Sequence, residues 1–296
     1  MKLLILGGSG FVSGTLTRMA LERGNRVWCV TRGTRELPKG ATALVADRND
    51  PDALREMLEK AGETYDCVMD CICYNAEQAE NAMKVLPPFC KRIVVISTDS
   101  VYHPAHKRVP QNEDAEVYLT DGGYGANKRE MEEAYLKDGG RRLCFTIFRP
   151  GHIYGAGSKL GCYPELTRRD DLKEILLSGA ELPLVGGGEY LFQPIWAGDL
   201  CRCMLECVGN EKTYNRIFCI GGPDVISNAE YYRILGRILD CPVKIGNIPE
   251  EGYLEVHPQY SGHLCQRVYD LTRLREAGLT VPGTHIEPVL RRQLGR

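Results

Sequence analysis

The 296-residue chain lacks any long hydrophobic run and any excess of basic charge. Its longest apolar runs, among them Leu3–Leu6 and Ile93–Ile96, are far below the roughly 18 residues that a membrane helix needs. Lys and Arg total 37 against 39 Asp and Glu, so the net charge is -2 and no basic face is expected to hold a nucleic-acid backbone. No targeting signal precedes the first strand pattern. We therefore expect a cytoplasmic protein that binds neither membranes nor nucleic acid.

The chain also lacks C-x-x-C pairs, although it contains 13 cysteines. Their number is odd, and a chain of this length can bury a core without covalent cross-links, so we expect reduced thiols rather than disulfides. The tightest groups lie in Cys67–Cys73 and Cys201–Cys207. Zinc requires four converging ligands, whereas a free cysteine is commonly a small buried apolar residue, so no metal site is predicted.

Short apolar segments rich in Val and Ile alternate with amphipathic stretches along the first half of the chain. Parallel strands need crossover connections, so buried strands separated by helices are typical of a parallel sheet covered on both faces. The predicted fold class is α/β, a Rossmann-type doubly wound parallel sheet with a smaller C-terminal substrate lobe. The predicted strands are Leu3–Leu6, Arg26–Val30, Ala43–Val45, Cys67–Met69, Arg92–Ile96 and Leu143–Phe148.

The pattern becomes irregular after Gly155, where Gly and Pro crowd Gly155–Pro164 and Pro183–Pro194. A strand at Arg216–Ile220 is expected to return to the main sheet. Helices are predicted at Leu200–Cys207, Asn228–Leu239 and Leu271–Ala277. We predict a dinucleotide-binding domain of residues 1–160 plus about 190–222, and a substrate-binding lobe of about 161–189 and 223–296.

The first strand runs directly into a glycine-rich turn, Gly7-Gly8-Ser9-Gly10-Phe11-Val12-Ser13-Gly14, which the helical pattern Thr15–Glu22 follows. This order predicts a dinucleotide cradle, because glycine lets the backbone turn sharply and lets a pyrophosphate approach the N–H groups at the helix N-terminus. The residues predicted to bind the cofactor here are Gly7, Gly10, Phe11 and Val12.

No carboxylate follows the second strand, where an acid would bind a ribose 2′-hydroxyl. The sequence there is Val30-Thr31-Arg32-Gly33, with Arg35 and Lys39 nearby. An arginine at this place can bind a 2′-phosphate, which an acid would repel, so we predict NADP in preference to NAD. A solvated basic loop is the alternative interpretation.

Tyr124 and Lys128 form a Tyr-x-x-x-Lys pair after the strand Arg92–Ile96. Residues four apart lie one above the other on a helix, so the Lys128 ammonium can lie near the Tyr124 phenol and, with an oxidised nicotinamide, favour the phenolate. Thr98, just past the strand end, can hold the reacting oxygen as a hydrogen-bond donor. The sequence therefore predicts Tyr124 as the acid/base, with Thr98 and Lys128 beside it.

Taken together, these motifs resemble the extended short-chain dehydrogenases/reductases, the NAD-dependent epimerase/dehydratase family, over nearly the whole chain. The resemblance implies catalytic roles for Thr98, Tyr124 and Lys128. Ser13 stands where the family has a third glycine, so a slightly displaced helix is expected. Two further stretches resemble family segments, Phe148–Gly155 beside the nicotinamide and Gln193–Leu200 where the chain returns past the substrate. Cofactor contacts are thereby implied for Pro150, Ile153, Asp47 and Arg48, with Asp47 on the adenine; a helix-capping Asp47 is the alternative.

The segment after Thr98 departs from the sugar 4,6-dehydratases, which carry an Asp-Glu pair there, because Asp99 is followed by Ser100. A serine hydroxyl cannot replace a carboxylate base at neutral pH, so dehydration is disfavoured. We expect hydride exchange at a carbinol or carbonyl carbon of a nucleotide sugar or similar small molecule, as epimerisation or as net reduction or oxidation. The candidate substrate-binding residues are Asp99, Tyr74, His152, Gln193 and Trp196.

A non-catalytic member of the same fold, acting as a cofactor sensor or an RNA-associated scaffold, is the alternative, because fold alone does not specify function. Such relatives tend to lose the Tyr and Lys, which this chain retains. The helix that carries Tyr124 is predicted to have a solvated outward face, with Arg129, Glu132, Glu133 and Lys137. Both a homodimer, as the family implies, and a monomer are therefore retained.

Overall fold

The structure, a computed structural model, describes residues 1–296. Its strands are β1 (Lys2–Leu6), β2 (Arg26–Thr31), β3 (Thr42–Val45), β4 (Cys67–Asp70), β5 (Arg92–Ile96), β6 (Cys144–Pro150), β7 (Ile153–Tyr154), β8 (Glu181–Val185), β9 (Leu191–Phe192), β10 (Ile195–Trp196), β11 (Arg216–Ile220), β12 (Ile226–Ser227) and β13 (Lys244–Ile248). Its α-helices are α1 (Phe11–Glu22), α2 (Pro51–Ala61), α3 (Ala76–Val85), α4 (Tyr124–Asp138), α5 (Leu172–Leu177), α6 (Ala197–Glu206), α7 (Asn228–Leu239), α8 (Tyr253–Val256), α9 (Thr272–Glu276) and α10 (Ile286–Gln293).

A seven-stranded sheet with the order β11-β6-β5-β4-β1-β2-β3 forms the centre of the molecule. All of its neighbouring strands run parallel. Three two-stranded pairs lie outside it, β7 with β10, β9 with β12 and β8 with β13. The predicted doubly wound α/β fold is confirmed, because helices pack on both faces of this parallel sheet.

The strongest sequence patterns match the observed elements residue for residue at β5, β11 and α7. The return of Arg216–Ile220 to the main sheet is confirmed, since β11 pairs with β6. The first helix is longer than predicted and starts at Phe11 rather than Thr15. The physical reason is that the tight turn is complete at Gly10, whose extended backbone caps the helix.

Each face of the sheet has its own apolar core. Residues of α2, α3 and α4 cover one face, and residues of α1 and α6 cover the other. A third core joins α5, α7 and α10 with β8 in the second half of the chain. Leu274 and Leu279 belong to the α1–α6 core. The predicted division into two domains remains a prediction, and part of its C-terminal segment packs against the sheet.

All 13 cysteines are free, and ten of them are buried. Burial as small apolar residues accounts for their number, and no group of three or more His, Cys, Asp or Glu side chains is arranged to hold a metal ion. No helix combines the length and the apolar character that crossing a bilayer requires.

Candidate functional site

A cleft of about 560 Å³ opens where β1, β2 and β4 end. The strand order reverses between β1 and β4, and open parallel sheets bind ligands at such a point. We call this space the cofactor cleft. Six residues predicted from sequence to bind cofactor or substrate line it, namely Gly7, Gly10, Arg32, Asp47, Arg48 and Tyr74.

The glycine-rich turn at the cleft leaves no room for side chains. Gly7 and Gly8 have φ of 109° and 114°, which residues other than glycine rarely adopt. A Cβ on Gly8 would lie 2.6 Å from the Cys29 Sγ. The helix α1 begins directly after the turn, and the first N–H groups of a helix have no partner within it, so this end suits a phosphate.

Ser13 replaces the third glycine of the motif without opening the turn. Its side chain is buried, and its Oγ accepts a hydrogen bond of 3.0 Å from the Gly10 N–H. The Ser13 Cβ lies 3.2 Å from where a Cβ on Gly7 would stand. The hydroxyl thus fastens the turn to the helix and occupies one backbone donor. The displaced helix expected from sequence remains a prediction.

Arg32 and Arg35 stand in the wall of the cofactor cleft beyond the end of β2. Both are exposed, and neither takes part in an ion pair or a hydrogen bond within the protein. Their guanidinium groups are therefore free to bind an anion that enters the cleft.

Asp47 and Arg48 follow β3 but have different surroundings. Asp47 is exposed in the cleft, and its Oδ1 accepts a hydrogen bond of 2.9 Å from the Asn49 N–H. The helix cap suggested as its alternative role belongs to Asp50, whose carboxylate accepts from two N–H groups of α2. Arg48 is buried and donates to both carboxylate oxygens of Asp70 at 2.8 Å. Its guanidinium is thus bound within the protein, although the residue lines the cleft.

Thr98 and Ser100 form the turn after β5. The Thr98 Oγ1 accepts from the Ser100 N–H at 3.2 Å and donates to the Ser100 Oγ at 3.3 Å. Thr98 is buried and caps the short 3₁₀ turn at Asp99–Val101. Ser100, which stands where dehydratases have their base, therefore holds the Thr98 hydroxyl in place.

Tyr124 is the first residue of α4 and is 56% exposed at the mouth of the site. The protein that surrounds its phenol displaces water and raises the pKa of Tyr124, and the nearby Tyr74 and Asp99 raise it further. Arg168 and a hydrogen bond with Thr98 oppose this shift. Lys128 is not among the principal groups that shift the pKa of Tyr124. The acidification expected when oxidised nicotinamide is bound remains a prediction.

Lys128 is buried, and two strand ends hold its ammonium. Its Nζ donates to the carbonyl oxygens of Cys73 and Ile96, each at 2.5 Å. Burial lowers the pKa of Lys128, and the nearby Cys73 and Asp70 oppose that shift. An ammonium has three donors, so one remains for a ligand. The side chain lies one turn from Tyr124 on α4 but is fixed by the sheet rather than by the phenol.

One carboxylate oxygen of Asp99 binds two side chains of the protein. Its Oδ2 accepts from Lys107 Nζ at 3.0 Å and from the Tyr269 hydroxyl at 2.8 Å. Burial raises the pKa of Asp99, but Lys107 and Arg267 outweigh it and hold the pKa below its usual value. Asp99 is therefore ionised and cannot serve as a proton donor at neutral pH.

The side chains of Gln193 and Trp196 contact the backbone of neighbouring loops. The Gln193 amide donates to the Gly222 carbonyl at 2.7 Å, and its carbonyl accepts from the Tyr269 N–H at 2.9 Å. Trp196 packs against the backbone of Gly155, where a Cβ would lie 3.1 Å from its ring. Both polar ends of Gln193 are thus committed to loop contacts, and its predicted substrate contact remains a prediction.

His152 and Tyr74 lie on different sides of the site. His152 packs edge to face on Phe192, with ring centroids 5.9 Å apart. Burial and the charge of Arg267 lower the pKa of His152 to about 3, so its imidazole is neutral. The Tyr74 ring is 48% exposed, and its centroid lies 5.6 Å from Lys128 Nζ.

The other predicted cofactor contacts surround the turn. Ile153 and Val12 are half-buried against the α1–α6 core. A Cβ on Gly157 would lie 3.5 Å from the Phe11 ring, so the start of α1 reaches the segment after β7. Pro150 ends β6 beside the last residue of β11.

Two groups of polar residues escaped the sequence analysis. Glu132, predicted on a solvated face of α4, is instead completely buried, because Arg149 from β6 binds it. Arg267 and Tyr269 come from a segment about 170 positions after Asp99 and still reach it. No local pattern could reveal either arrangement, since each partner lies on a distant part of the chain.

The cofactor cleft fits a dinucleotide. The turn excludes side chains at Gly8, the helix end offers free N–H groups, and Arg32 and Arg35 have no partners in the protein. One donor of Lys128 is also unused. These residues would hold phosphates at the turn and the second strand, and the cofactor contact predicted for Lys128 remains a prediction.

Residues 3–221 match the NAD dependent epimerase/dehydratase family. The chain belongs to this family. It is 26% identical to the Chloroplast stem-loop binding protein of 41 kDa b of Arabidopsis thaliana over 87% of the chain and 66% of that protein, so it spans about two thirds of that relative. It is 24% identical to the 2-alkyl-3-oxoalkanoate reductase of Stenotrophomonas maltophilia, over 93% of the chain and 85% of that protein. The predicted extended short-chain dehydrogenase/reductase family is thereby confirmed.

The fold of this family member is similar to that of a solved UDP-glucose 4-epimerase from Thermotoga maritima. The TM-score is 0.81 at 20% sequence identity, and the alignment covers 100% of this chain and 98% of the other. This likeness agrees with the doubly wound sheet.

Proposed function

We propose that this protein exchanges hydride between a nicotinamide cofactor and a carbinol or carbonyl carbon of a small molecule, with Tyr124 as the acid/base. The candidate substrates are nucleotide sugars and similar compounds. The observation that carries the proposal is that the start of α4, which bears Tyr124, packs directly on the turn after Thr98, since a Cβ on Gly125 would collide with the Ser100 carbonyl oxygen. Lys128 is fixed beside them by the carbonyl oxygens of Cys73 and Ile96. Membership in a family of NAD-dependent epimerases and dehydratases supports it.

The nicotinamide supplies the hydride acceptor or donor when the cofactor is bound. In reduction, the Thr98 hydroxyl turns from the Ser100 Oγ to donate its hydrogen bond to the carbonyl oxygen, which stabilises the negative charge that develops there. Tyr124 then gives its phenolic proton to that oxygen, and in oxidation it takes the proton back. The pKa of Tyr124 is raised in the protein alone, so at neutral pH the phenol holds the proton that reduction requires.

Dehydration is disfavoured by the residues next to Thr98. Asp99 is ionised and bound by Lys107 and Tyr269, so it is a poor proton donor for a leaving hydroxyl. The Ser100 N–H and Oγ both bind the Thr98 hydroxyl. Epimerisation and net reduction remain, and the similarity to an oxoalkanoate reductase supports reduction.

NADP is the proposed cofactor, with NAD as the alternative. Arg32 and Arg35 carry no ion pairs and no acid stands among them in the cleft wall at the end of β2. The many reduced thiols agree with the proposed cytoplasmic location. A homodimer is kept as a proposal from the family resemblance.

The test is turnover on a panel of sugar nucleotides, small alcohols and oxo acids, followed through the absorbance of the reduced nicotinamide. Epimerisation, which leaves no net reduced cofactor, is followed by separating the sugar products. Tyr124→Phe should leave cofactor affinity nearly unchanged and lower turnover by about 10²–10⁴-fold. Tyr214→Phe, which replaces a tyrosine that stacks on Arg92 away from the cleft, is the matched control. An unchanged rate in Tyr124→Phe would refute the assigned role.

The similarity to a stem-loop binding protein favours a second candidate, an RNA-associated member of the fold. Its test is the affinity for a stem-loop RNA over a range of salt concentrations, with a single-stranded RNA of the same length as control. Cofactor binding without turnover on the panel, together with salt-dependent RNA binding, would favour this candidate over the enzyme.

A further inference from the structure

Four arginines are buried in the protein, and the guanidinium groups of three of them each make at least two hydrogen bonds to oxygen, although the Nε atoms of Arg48 and Arg92 have no partner. Arg48 pairs with Asp70 and Arg149 with Glu132, each through two hydrogen bonds. Arg92 has no carboxylate, but it donates to the Thr146 hydroxyl and, at 2.8 Å, to that of Thr213. Its guanidinium also lies 4.3 Å from the centre of the Tyr214 ring. The fourth is Arg267.

Arg267 is 6% exposed and has no carboxylate within ion-pair distance. The single hydrogen bond of its guanidinium runs from Nη2 to the Asn228 Oδ1 and is long, at 3.4 Å. Its Nε is fully buried and has no partner at all. Buried charges in proteins are normally paired, because an unpaired one loses its hydration without compensation. Nε and Nη2 form one edge of the guanidinium, and that edge is matched to two oxygens of an anion.

The surroundings of Arg267 belong to the substrate side of the site. Its guanidinium lies 5.4 Å from the centre of the Phe192 ring, on which His152 also packs. Asp99, which directly follows Thr98, is the nearest acid that acts on Arg267. That carboxylate lies beyond ion-pair distance of Arg267, and its Oδ2 already accepts from Lys107 and Tyr269.

The local charge is therefore positive. Lys107 and Arg267 face the single carboxylate of Asp99, and the charge of the exposed Arg168 also reaches His152 and His263. Burial and Arg267 lower the pKa of His263 to about 4. At neutral pH both His152 and His263 are therefore uncharged. The Nδ1 of His263 is buried and has no partner. The two cations Lys107 and Arg267 therefore share one carboxylate, and a second negative charge would balance them.

We propose that Arg267 binds an anionic group of the substrate, a carboxylate or a phosphate, through its Nε and Nη2 edge, in the part of the site that Asp99 and His152 line. This inference rests on the proposed function, because it assigns the substrate class of the same site. The substrate is then an acid or a phosphate ester whose charged group lies near the reacting carbon. Arg267 contributes binding and orientation, whereas proton transfer stays with Tyr124.

The experiment measures the binding of inorganic phosphate and of malonate to the full chain by calorimetry, with NADP present in excess so that the turn and Arg32 are occupied. The wild type is expected to bind at least one of the two anions. Arg267→Met should weaken that binding by about tenfold or more, the effect of losing a charge-assisted hydrogen bond. The preferred anion identifies the source, since malonate represents a carboxylic acid and phosphate a phosphate ester.

Arg92→Met is the matched control, because it removes a buried arginine at the other end of β5, and it should leave anion binding unchanged. Without added anion, Arg267→Met should melt at the same temperature as the wild type or higher, since it removes an unpaired buried charge. Arg267→Lys keeps the charge but loses the paired donors, so it should also weaken binding. If Arg267→Met does not fold, Arg267→Lys takes its place in the binding measurement.

Equal anion affinity in wild type and Arg267 variants, or no anion binding by the wild type, would overturn the proposal. These results are independent of turnover, because neither probe is a substrate. A protein that binds anions through Arg267 but shows no hydride exchange would refute the proposed function alone. A protein that is active but indifferent to Arg267 would refute this inference alone.

Discussion

Arg149 on β6 and Glu132 on α4 form a buried ion pair with two hydrogen bonds, 2.9 Å from Nε to Oε1 and 2.6 Å from Nη2 to Oε2. Neither side chain has any exposed surface. Burial raises the pKa of Glu132, but Arg149 outweighs it and lowers the pKa below its usual value. The pair joins the helix that carries Tyr124 and Lys128 to the sheet, so it fixes the position of that helix.

Glu132→Gln should lower the free energy of unfolding by about 3–5 kcal/mol, because it leaves the Arg149 charge buried without a counterion. Glu133→Gln is the matched control. Glu133 is the next residue on the helix, is 58% exposed and pairs only with Arg129, so its replacement should cost less than about 1 kcal/mol. Urea unfolding of both variants makes the comparison, and equal losses would contradict the assigned role of the buried pair.

Arg32→Gln should weaken NADP binding by about 10- to 100-fold, since it removes a charge-assisted contact to the 2′-phosphate. NAD binding should stay nearly unchanged, because NAD has no phosphate there. The dissociation constants of both cofactors for wild type and variant provide the test. Arg216→Gln, at the far edge strand β11, serves as control. Tighter binding of NAD than NADP by the wild type would remove the basis of this prediction.

Gly8→Ala should destabilise the protein by about 3–5 kcal/mol and impair cofactor binding, through backbone strain and overpacking together. The added Cβ would lie 2.6 Å from the Cys29 Sγ at a φ of 114°. Gly24 also has a positive φ, of 75°, but its Cβ would meet nothing within 4 Å. Gly24→Ala should therefore cost only about 1–2 kcal/mol of strain. Thermal unfolding of both variants separates overpacking from backbone strain. Equal melting temperatures would show that overpacking at Gly8 contributes nothing.

Stability should fall as the pH is lowered from about 6.5 towards 3, with a contribution from His152. Its folded-state pKa of about 3 lies below the ordinary value of 6.5, so in this range the unfolded chain binds a proton that the native protein does not. One such proton contributes at most about 1.4 kcal/mol per pH unit.

His152→Asn should make the dependence of the unfolding free energy on pH less steep between pH 6.5 and 4. His106→Asn, which replaces an exposed histidine, should leave the slope unchanged. Urea unfolding at several pH values measures both slopes. A slope that His152→Asn does not alter would show that the imidazole is not held neutral in the native protein.

The sequence was most informative where one segment carries the whole signal. The unbroken apolar runs predicted β5 and β11 to the residue, and the glycine-rich turn after β1 predicted the cofactor cleft. The burial of Glu132 could not be predicted, because its helix position looks solvated until Arg149 is brought to it by the sheet. The contact between Tyr269 and Asp99 depends in the same way on the folding of the second half of the chain.

The short strand pairs show a further limit. β8 and β13 pair in parallel across about 60 positions, although β8 contains a proline and β13 a glycine, residues that weaken a strand signal in the sequence. Their pairing is determined by the third core, where Leu182 and Leu184 are buried. The position of this core beside the site therefore follows from tertiary packing rather than from local preference.

The burial of the cysteines has a practical consequence. Burial raises the pKa of Cys29 to about 11 and that of Cys201 to about 12, so these sulfurs remain protonated and shielded from water. An alkylating reagent can attack them only in molecules that have opened. The rate at which iodoacetamide labels Cys29 and Cys201, followed by peptide mapping to separate them from the three half-exposed cysteines, therefore reports how often the native state opens. The molecule thus carries its own probe of local unfolding without an added fluorophore.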